Sequence, residues 1–326
     1  MAHPALTDIS VIVAAFEAAD TIGRALTSIA AQTMKPVDVV VVDDGSTDAT
    51  ASIAEGFSNK MGGIRLSVFR NEQNLGAGAA RNRAIAESTG SILAFLDADD
   101  EWMPEKLERS MAHLEEGGFD LVAHDYLIGP GPEATAIHCA KRFHEGPDPF
   151  SALYRKGYIS TSTVVARREA IFAGGGFDPE LRNAQDFDLW LAILRSPKAP
   201  FLVFSETLMR YHISPNSIMT HTDRRLRCGH AIAVRFFPDL QVRPGSALIS
   251  LWFRIAALHI EAFRAYMARG ERMRSMMCLG SLPVRLLTAT VTCLFQTPRP
   301  RDRFLDQPAA DSGHAKVKGA VLDNAN

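Results

Sequence analysis

The first hundred residues repeat one pattern that leaves few folds open: a short apolar run that ends abruptly. Residues 9–15 read ISVIVAA. Residues 37–42 read VDVVVV and stop on Asp43-Asp44. Residues 91–96 read SILAFL and stop on Asp97-Ala98-Asp99-Asp100. Runs this short, apolar and β-branched suit strands buried on both faces. Between them lie stretches with helical spacing. Ile22, Leu26 and Ile29 mark a helix over 21–32, with Asp20 as its expected N-cap. Ser46 or Thr47 is placed to cap the helix after the second strand. A third strand is expected over 64–69, a helix over 76–88, and another helix with Pro104 in its first turn. A further strand follows over 121–127. Strand alternating with helix predicts an α/β fold with a parallel sheet and right-handed crossovers. Ligands in such sheets bind beyond the carboxyl ends of the strands. Asp43–Asp44 and Asp97–Asp100 should therefore share one rim.

The remainder is less regular. Residues 129–149 are rich in Gly, Pro and His and read as a long loop. Short elements resume near 160–165 and 186–194. Residues 222–295 read as purely helical, and disorder is expected from 297 onward. No internal repeat is present. The 326 residues are 47% hydrophobic and 22% charged, which excludes a disordered or collagen-like chain. Four scattered cysteines exclude a disulfide framework or a cysteine zinc site, so a reducing compartment is expected.

The net charge of −2 is unevenly spread. Residues 1–220 hold 19 Lys/Arg and 29 Asp/Glu; residues 221–305 hold 14 Arg, no Lys and 5 Asp/Glu. An acidic body with an arginine-rich extension suggests a cation-dependent site and an anionic neighbour. The first residues carry no signal-peptide pattern, and no stretch is long and apolar enough to span a bilayer. The expected location is cytoplasmic, with peripheral contact to the inner face of a membrane through 222–295. Within that region 279–295 suits an interface, and 247–267 reads as an amphipathic helix. A helical cap or dimer contact with a solvated basic face explains the same arginines. No nucleic-acid motif is present, and no nucleic-acid partner is expected.

Several clusters carry possible chemistry, each with a structural alternative. Three carboxylates at Asp97, Asp99 and Asp100 repel unless a cation or hydrogen bonds hold them. Mg²⁺ or Mn²⁺ binds through one or two carboxylates plus substrate phosphates, a role open to Asp97 and Asp99. The alternative is a solvated turn with a helix cap. Asp43 and Asp44 could accept hydrogen bonds from a base or ribose, or cap the next helix. The segment NLGAGAARN opens a helix but lacks a third glycine, where Arg81 stands; Arg81 could meet a phosphate or the acidic rim. In QDFDLW, one of Asp186 and Asp188 should cap and the other face the cleft, with Asp186 a plausible general base. His212 could ligate a metal or contact a phosphate, or be structural. There is no GxSxG, HExxH, P-loop or CxxC motif.

In order, ISVIVAAFEAADTIGRALTSIAAQT, VDVVVVDDGSTDAT, NLGAGAARNRAI, GSILAFLDADDEWMPEKL, NAQDFDLWLAI and MRYHISPNS resemble a family 2 glycosyltransferase over roughly residues 7–220. The resemblance implies a GT-A fold, a Rossmann-like mostly parallel sheet flanked by helices, with a C-terminal helical extension. It implies an inverting transfer from a nucleotide-diphosphate sugar, UDP-sugar favoured, to a hydroxyl of a glycan, polysaccharide or lipid-linked acceptor, with a divalent cation. The nucleotide-binding half would be 1–128, the acceptor half 129–220, the extension 221–296 and a disordered tail 297–326. Asp186 would be the catalytic base. Ala14, Phe16, Asp43, Asp44, Arg81, Asp97 and Ala98 would bind the donor nucleotide. Asp99 would ligate the metal, with His212 able to reach it. Phe16-Glu17 replaces the usual Tyr-Asn after the first strand, and Gln185 stands where Glu is common.

Two other classes compete. A nucleotidyltransferase would carry a basic glycine-rich loop after the first strand, where this chain reads AAFEAAD. A non-catalytic binding module should have lost one of the acidic sites, and all are present. A dinucleotide oxidoreductase lacks its fingerprint here.

Overall fold

The computed structural model describes residues 8–129, 131–146, 148–196, 200–213, 221–295 and 301–305. The first apolar runs form β1 (Ile9–Ala15), β2 (Asp38–Asp43), β3 (Arg65–Arg70) and β4 (Ile92–Asp97), in the spatial order β3-β2-β1-β4 and all parallel. Alternate side chains feed two cores. Ile12, Val40, Val42, Leu93 and Phe95 face one layer of helices; Val11, Val13, Val39, Val41 and Leu96 face the other. This double burial explains runs without a polar face.

Beyond β4 the sheet changes direction. β5 (Glu101–Trp102), β6 (Leu121–Ile128), β7 (Thr135–Ile137), β8 (Val165–Arg167) and β9 (Phe201–Tyr211) complete nine strands. β8 lies antiparallel between β4 and β6, while β9 runs parallel to β6 and antiparallel to β5.

Several expectations need correction. The stretch 129–149 is not one long loop. It holds β7 and the helix Cys139–Phe143, because the Asp125 carboxylate accepts from the Ala140 amide at 2.8 Å and Phe143 stacks on Phe201. Asp20 does not cap the first helix, Ile22–Ala30, whose N-cap is Thr21 without a side-chain bond. Neither Ser46 nor Thr47 caps the next helix, Thr50–Glu55. Its first amide donates to Asp48 at 3.0 Å, and Ser46 serves Asp43 instead. Pro104 lies just ahead of the helix Lys106–Glu116.

Residues 222–295 are helical, as expected: Thr222–Arg235, Phe237–Gln241, Ala247–Ala268, Arg272–Gly280 and Leu282–Phe295. The first three of these join the sheet's own core, with Ile232, Phe236, Leu251 and Ile255 packed in the same cluster as Phe150 and Trp190. The disorder expected from 297 does not hold at 301–305. There Arg301 is buried against Asp188, and the Phe304 amide donates to the Gly175 carbonyl at 2.8 Å. The rest of that tail lies outside the described residues.

Candidate active site

Register builds the site. Ala15 pairs with Asp43 and Ala14 with Asp97, so the ends of β2 and β4 flank the end of β1 on one rim. The small Ala14 and Ala15 lie between two carboxylates that are more than fifty residues apart in sequence. Phe16 follows at the rim and is 47% exposed, available as a flat apolar edge. Glu17 adopts φ 49°, and its carboxylate accepts from the Thr47 amide at 2.7 Å and hydroxyl at 2.9 Å. The departure from Tyr-Asn thus clips the first loop to the second.

Asp43 accepts from the Ser46 amide at 3.1 Å and from its hydroxyl, and lies 3.3 Å from Arg70. Asp44 is buried. Its carboxylate accepts from Asn71 Nδ2 at 2.7 Å, the Leu75 amide at 3.1 Å and the Gly76 amide at 2.7 Å. Asp44 therefore moulds the glycine-rich loop. Gly76 needs its lack of a side chain, with φ 98° and Arg182 Nη1 only 3.0 Å from where a Cβ would stand.

The helix opened by that loop, Ala77–Glu87, carries Arg81 inward. Its Nη2 donates to Asp97 Oδ1 at 2.5 Å, and its guanidinium lies over the Phe177 ring at 5.3 Å. Burial disfavours the Arg81 charge, but Asp97, with help from Asp186 and Asp99, raises its pKa. Arg81 pairs with Asp97 and also feels the charges of Asp186 and Asp99.

Ser162 organises the other side. Its hydroxyl accepts from the Asp97 amide at 3.0 Å and donates to Asp100 Oδ2 at 2.6 Å. Asp100 is fully buried; desolvation and the charges of Asp97 and Asp99 push its pKa well up. It belongs to the scaffold beneath the rim, where Ala98 is also buried. Asp99 is partly buried, and its carbonyl accepts from Arg24 at 2.6 Å. His212, just past β9, donates its amide to Asp100 at 3.3 Å, and its ring lies 3.2 Å from Glu101. The fold thus brings His212 to the acidic motif, with a carboxylate partner of its own.

Asp186 and Asp188 divide their roles, though neither is an N-cap. The helix Gln185–Leu194 starts after Ala184, which sits in the left-handed region at φ 58°. Asp188 is fully buried, 2.7 Å from Arg235 and 2.5 Å from Arg301. Asp186 is partly buried and faces the charge of Arg81. It accepts from Thr161 Oγ1 at 3.0 Å and from the Phe187 amide at 2.8 Å. Desolvation raises its pKa, and Arg81 partly opposes that rise. Trp190, one turn on, packs edge-to-face on Phe95 and Phe177 and locks the helix to β4. Thr161, Ser162 and Arg24 shape the site, yet only the Ser/Thr run 160–163 hints at them in sequence.

The donor set suits a hard cation. Asp97 has one oxygen on Arg81 and remains 29% exposed, and Asp99 stands two residues on. Among the described residues no group of three or more His, Cys, Asp or Glu side chains forms a metal site. Two carboxylates suffice where substrate phosphates complete the shell.

This architecture is that of the GT-A glycosyltransferase folds. Staphylococcus aureus TarS 1–349 is similar with a TM-score of 0.62 over 88% of this chain and 81% of that one, at 22% identity. The mannosyltransferase PcManGT from Pyrobaculum calidifontis, solved with GDP-Man and Mn²⁺, is similar at 0.57 over 89% and 88%, at 17% identity. The chain belongs to glycosyl transferase family 2, whose family model matches residues 10–172. It is 35% identical to the succinoglycan biosynthesis protein ExoU of Rhizobium meliloti over 60% of this chain and 59% of that protein. It is 29% identical to the Escherichia coli UDP-Glc:alpha-D-GlcNAc-diphosphoundecaprenol beta-1,3-glucosyltransferase WfaP over 63% and 77%. By name, the first acts in succinoglycan biosynthesis and the second transfers glucose to a GlcNAc-diphosphoundecaprenol.

Proposed function

We propose that the chain transfers a sugar, with inversion, from a nucleotide-diphosphate sugar to a hydroxyl of a glycan, polysaccharide or lipid-linked acceptor. The observation that carries this reading is Asp186. It is a partly open carboxylate with a raised pKa, bonded to Thr161 and facing Arg81 of the Asp97 rim. A carboxylate held that way can take the acceptor proton as the oxygen attacks the anomeric carbon from the opposite face. The single displacement breaks the bond to the leaving diphosphate and needs no covalent nucleophile.

Phe16, Asp43 and the Asp44-bound loop 71–76 would enclose the base and ribose, with Ala14 leaving room at the rim and Ala98 buried just beneath it. Asp97 and Asp99 would hold a divalent cation, which when bound offsets charge on the diphosphate. Arg81 holds Asp97 in place. A UDP-sugar is favoured, in keeping with the UDP-Glc in WfaP's name, and so is a lipid-linked diphosphate acceptor.

Thermal unfolding with UDP, GDP, dTDP and CDP, each with and without Mn²⁺, tests the donor site. Ligand at 100 times its dissociation constant stabilises by about 2.7 kcal/mol. A Mn²⁺-dependent shift with UDP is expected. A flat response to all four nucleotides would remove the donor site.

A further inference from the structure

The last two helices are amphipathic the wrong way round. In Arg272–Gly280 and Leu282–Phe295 the buried positions are small: Ser275, Cys278, Ala289 and Cys293. Leu282 and Leu286 pack against the core, but most of the large apolar side chains point outward. Met273, Met276, Met277, Val284, Leu287 and Phe295 are between 62% and 81% exposed. A helix packed on a water-soluble body normally buries its large apolar stripe. So many large apolar side chains exposed on two consecutive helices mark a contact with something else.

The charge around it is one-sided. Residues 272–295 contain three arginines and no acidic residue. Arg272 and Arg285, with Arg264 on the neighbouring helix, are exposed and make no ion pair among the described residues. A cleft of about 300 Å³ beside them is lined by Arg224, Arg227, Arg269, Arg274 and His221, with Asp223 and Glu271 as its acids. Trp252, 46% exposed, donates its indole N–H to Thr290 at 2.9 Å, so an amphipathic ring borders the last helix.

We propose that this face is a membrane-docking surface that inserts its methionines, leucines and Phe295 among the acyl chains of an anionic phospholipid layer, while its arginines meet the phosphates. Large apolar residues beside unpaired arginines are the two components of interfacial binding. The geometry favours lying in the interface over crossing it. No single helix among the described residues is long and apolar enough to span a membrane; these two reach that length only together, as a pair broken by a 43° bend and tied to the protein body at both helices. Both are pinned to the helix Ala247–Ala268. Ser275 donates to the Phe263 carbonyl at 3.2 Å, and Trp252 holds Thr290. The inference does not depend on the donor or base assignments, and it would deliver the active site to acceptors carried in the membrane.

Flotation of the full chain with vesicles tests it. Vesicles containing phosphatidylglycerol are expected to carry the protein at low salt, and pure phosphatidylcholine vesicles to carry much less. The triple variant Met277→Glu, Leu287→Glu, Phe295→Glu should lower partition by about a hundredfold or more. Arg264→Gln, Arg272→Gln and Arg285→Gln should each lower it roughly fivefold and together flatten its salt dependence. An unchanged melting curve in water shows that each variant is folded. A folded wild-type protein left behind by every vesicle overturns the proposal. So does a stable oligomer that the triple glutamate variant converts to monomer, because the face is then a contact between copies. Equal recruitment by neutral vesicles overturns the arginine component. The nucleotide-dependent thermal shift is read separately, so loss of one function leaves the other measurable.

Discussion

At the strand-end rim, charge is settled inside the protein. Arg81 holds Asp97, Arg70 lies beside Asp43, and behind the Asp186 helix Arg235 and Arg301 enclose Asp188. On the last two helices, Arg272 and Arg285 point to solvent without an ion-pair partner among the described residues, beside apolar side chains that are also uncovered. The rim spends its arginines on geometry: each fixes a carboxylate whose position matters to within a fraction of an ångström. The helices leave theirs for a partner that the chain itself does not supply. A change at the rim should therefore be felt in catalysis and folding. A change on the outer helix faces should be silent in water.

The sharpest test of that contrast is Asp186→Asn. It should lower transfer by about a hundredfold or more while the UDP-dependent thermal shift persists. Turnover like wild type would take the base role from Asp186. Asp99→Ala comes next: the roughly 2.7 kcal/mol of Mn²⁺-dependent stabilisation by saturating UDP should largely vanish, read as a lost difference between melts with and without Mn²⁺. Arg301→Ala removes one of two counter-ions from a fully buried carboxylate, and should cost about 2 kcal/mol in urea unfolding. A loss near zero would mean that Arg235 alone satisfies Asp188.

The pH profile probes the rim more gently. Asp186 must be ionised to accept a proton, and its pKa is raised above the ordinary aspartate value of 3.8. Activity should fall as pH drops through that raised value, so the acid limb of kcat/KM should lie above the usual carboxylate range. Arg81 favours the ionised form, so Arg81→Gln should move the limb to still higher pH. A limb that stays put would uncouple the two groups. The smallest effect is expected on the outer helices: Leu287→Glu should change stability in water by no more than about 0.5 kcal/mol, the surface norm.

The parallel half of the sheet and its acidic tips are legible in one dimension. β1, β2 and β4 are apolar on both faces and end abruptly, so period, length and terminus all agree. The placement of Asp43 and Asp97 on one rim, on either side of β1, then follows from a topology that permits few alternatives. The division between Asp186 and Asp188 was legible in outline, with Asp186 as the expected base, but its cause was not. Nothing local says that Arg301, 113 residues away, would claim Asp188 and leave Asp186 toward the rim. β9 was hidden because FLVFSETLMRY interrupts its apolar pattern at Ser205-Glu206-Thr207, where the ladder with β6 shifts register next to Asp125. The antiparallel β8 is only three residues long, too short for any period to show. The outward turn of Met276, Met277 and Leu287 was equally invisible, since a helical repeat identifies an apolar stripe but not what it faces. Periodicity and chain stops are local and survive in one dimension. Ion pairs between distant segments, strand order past β4 and the choice of which helix face is buried depend on packing between stretches far apart in the chain, which no local pattern encodes.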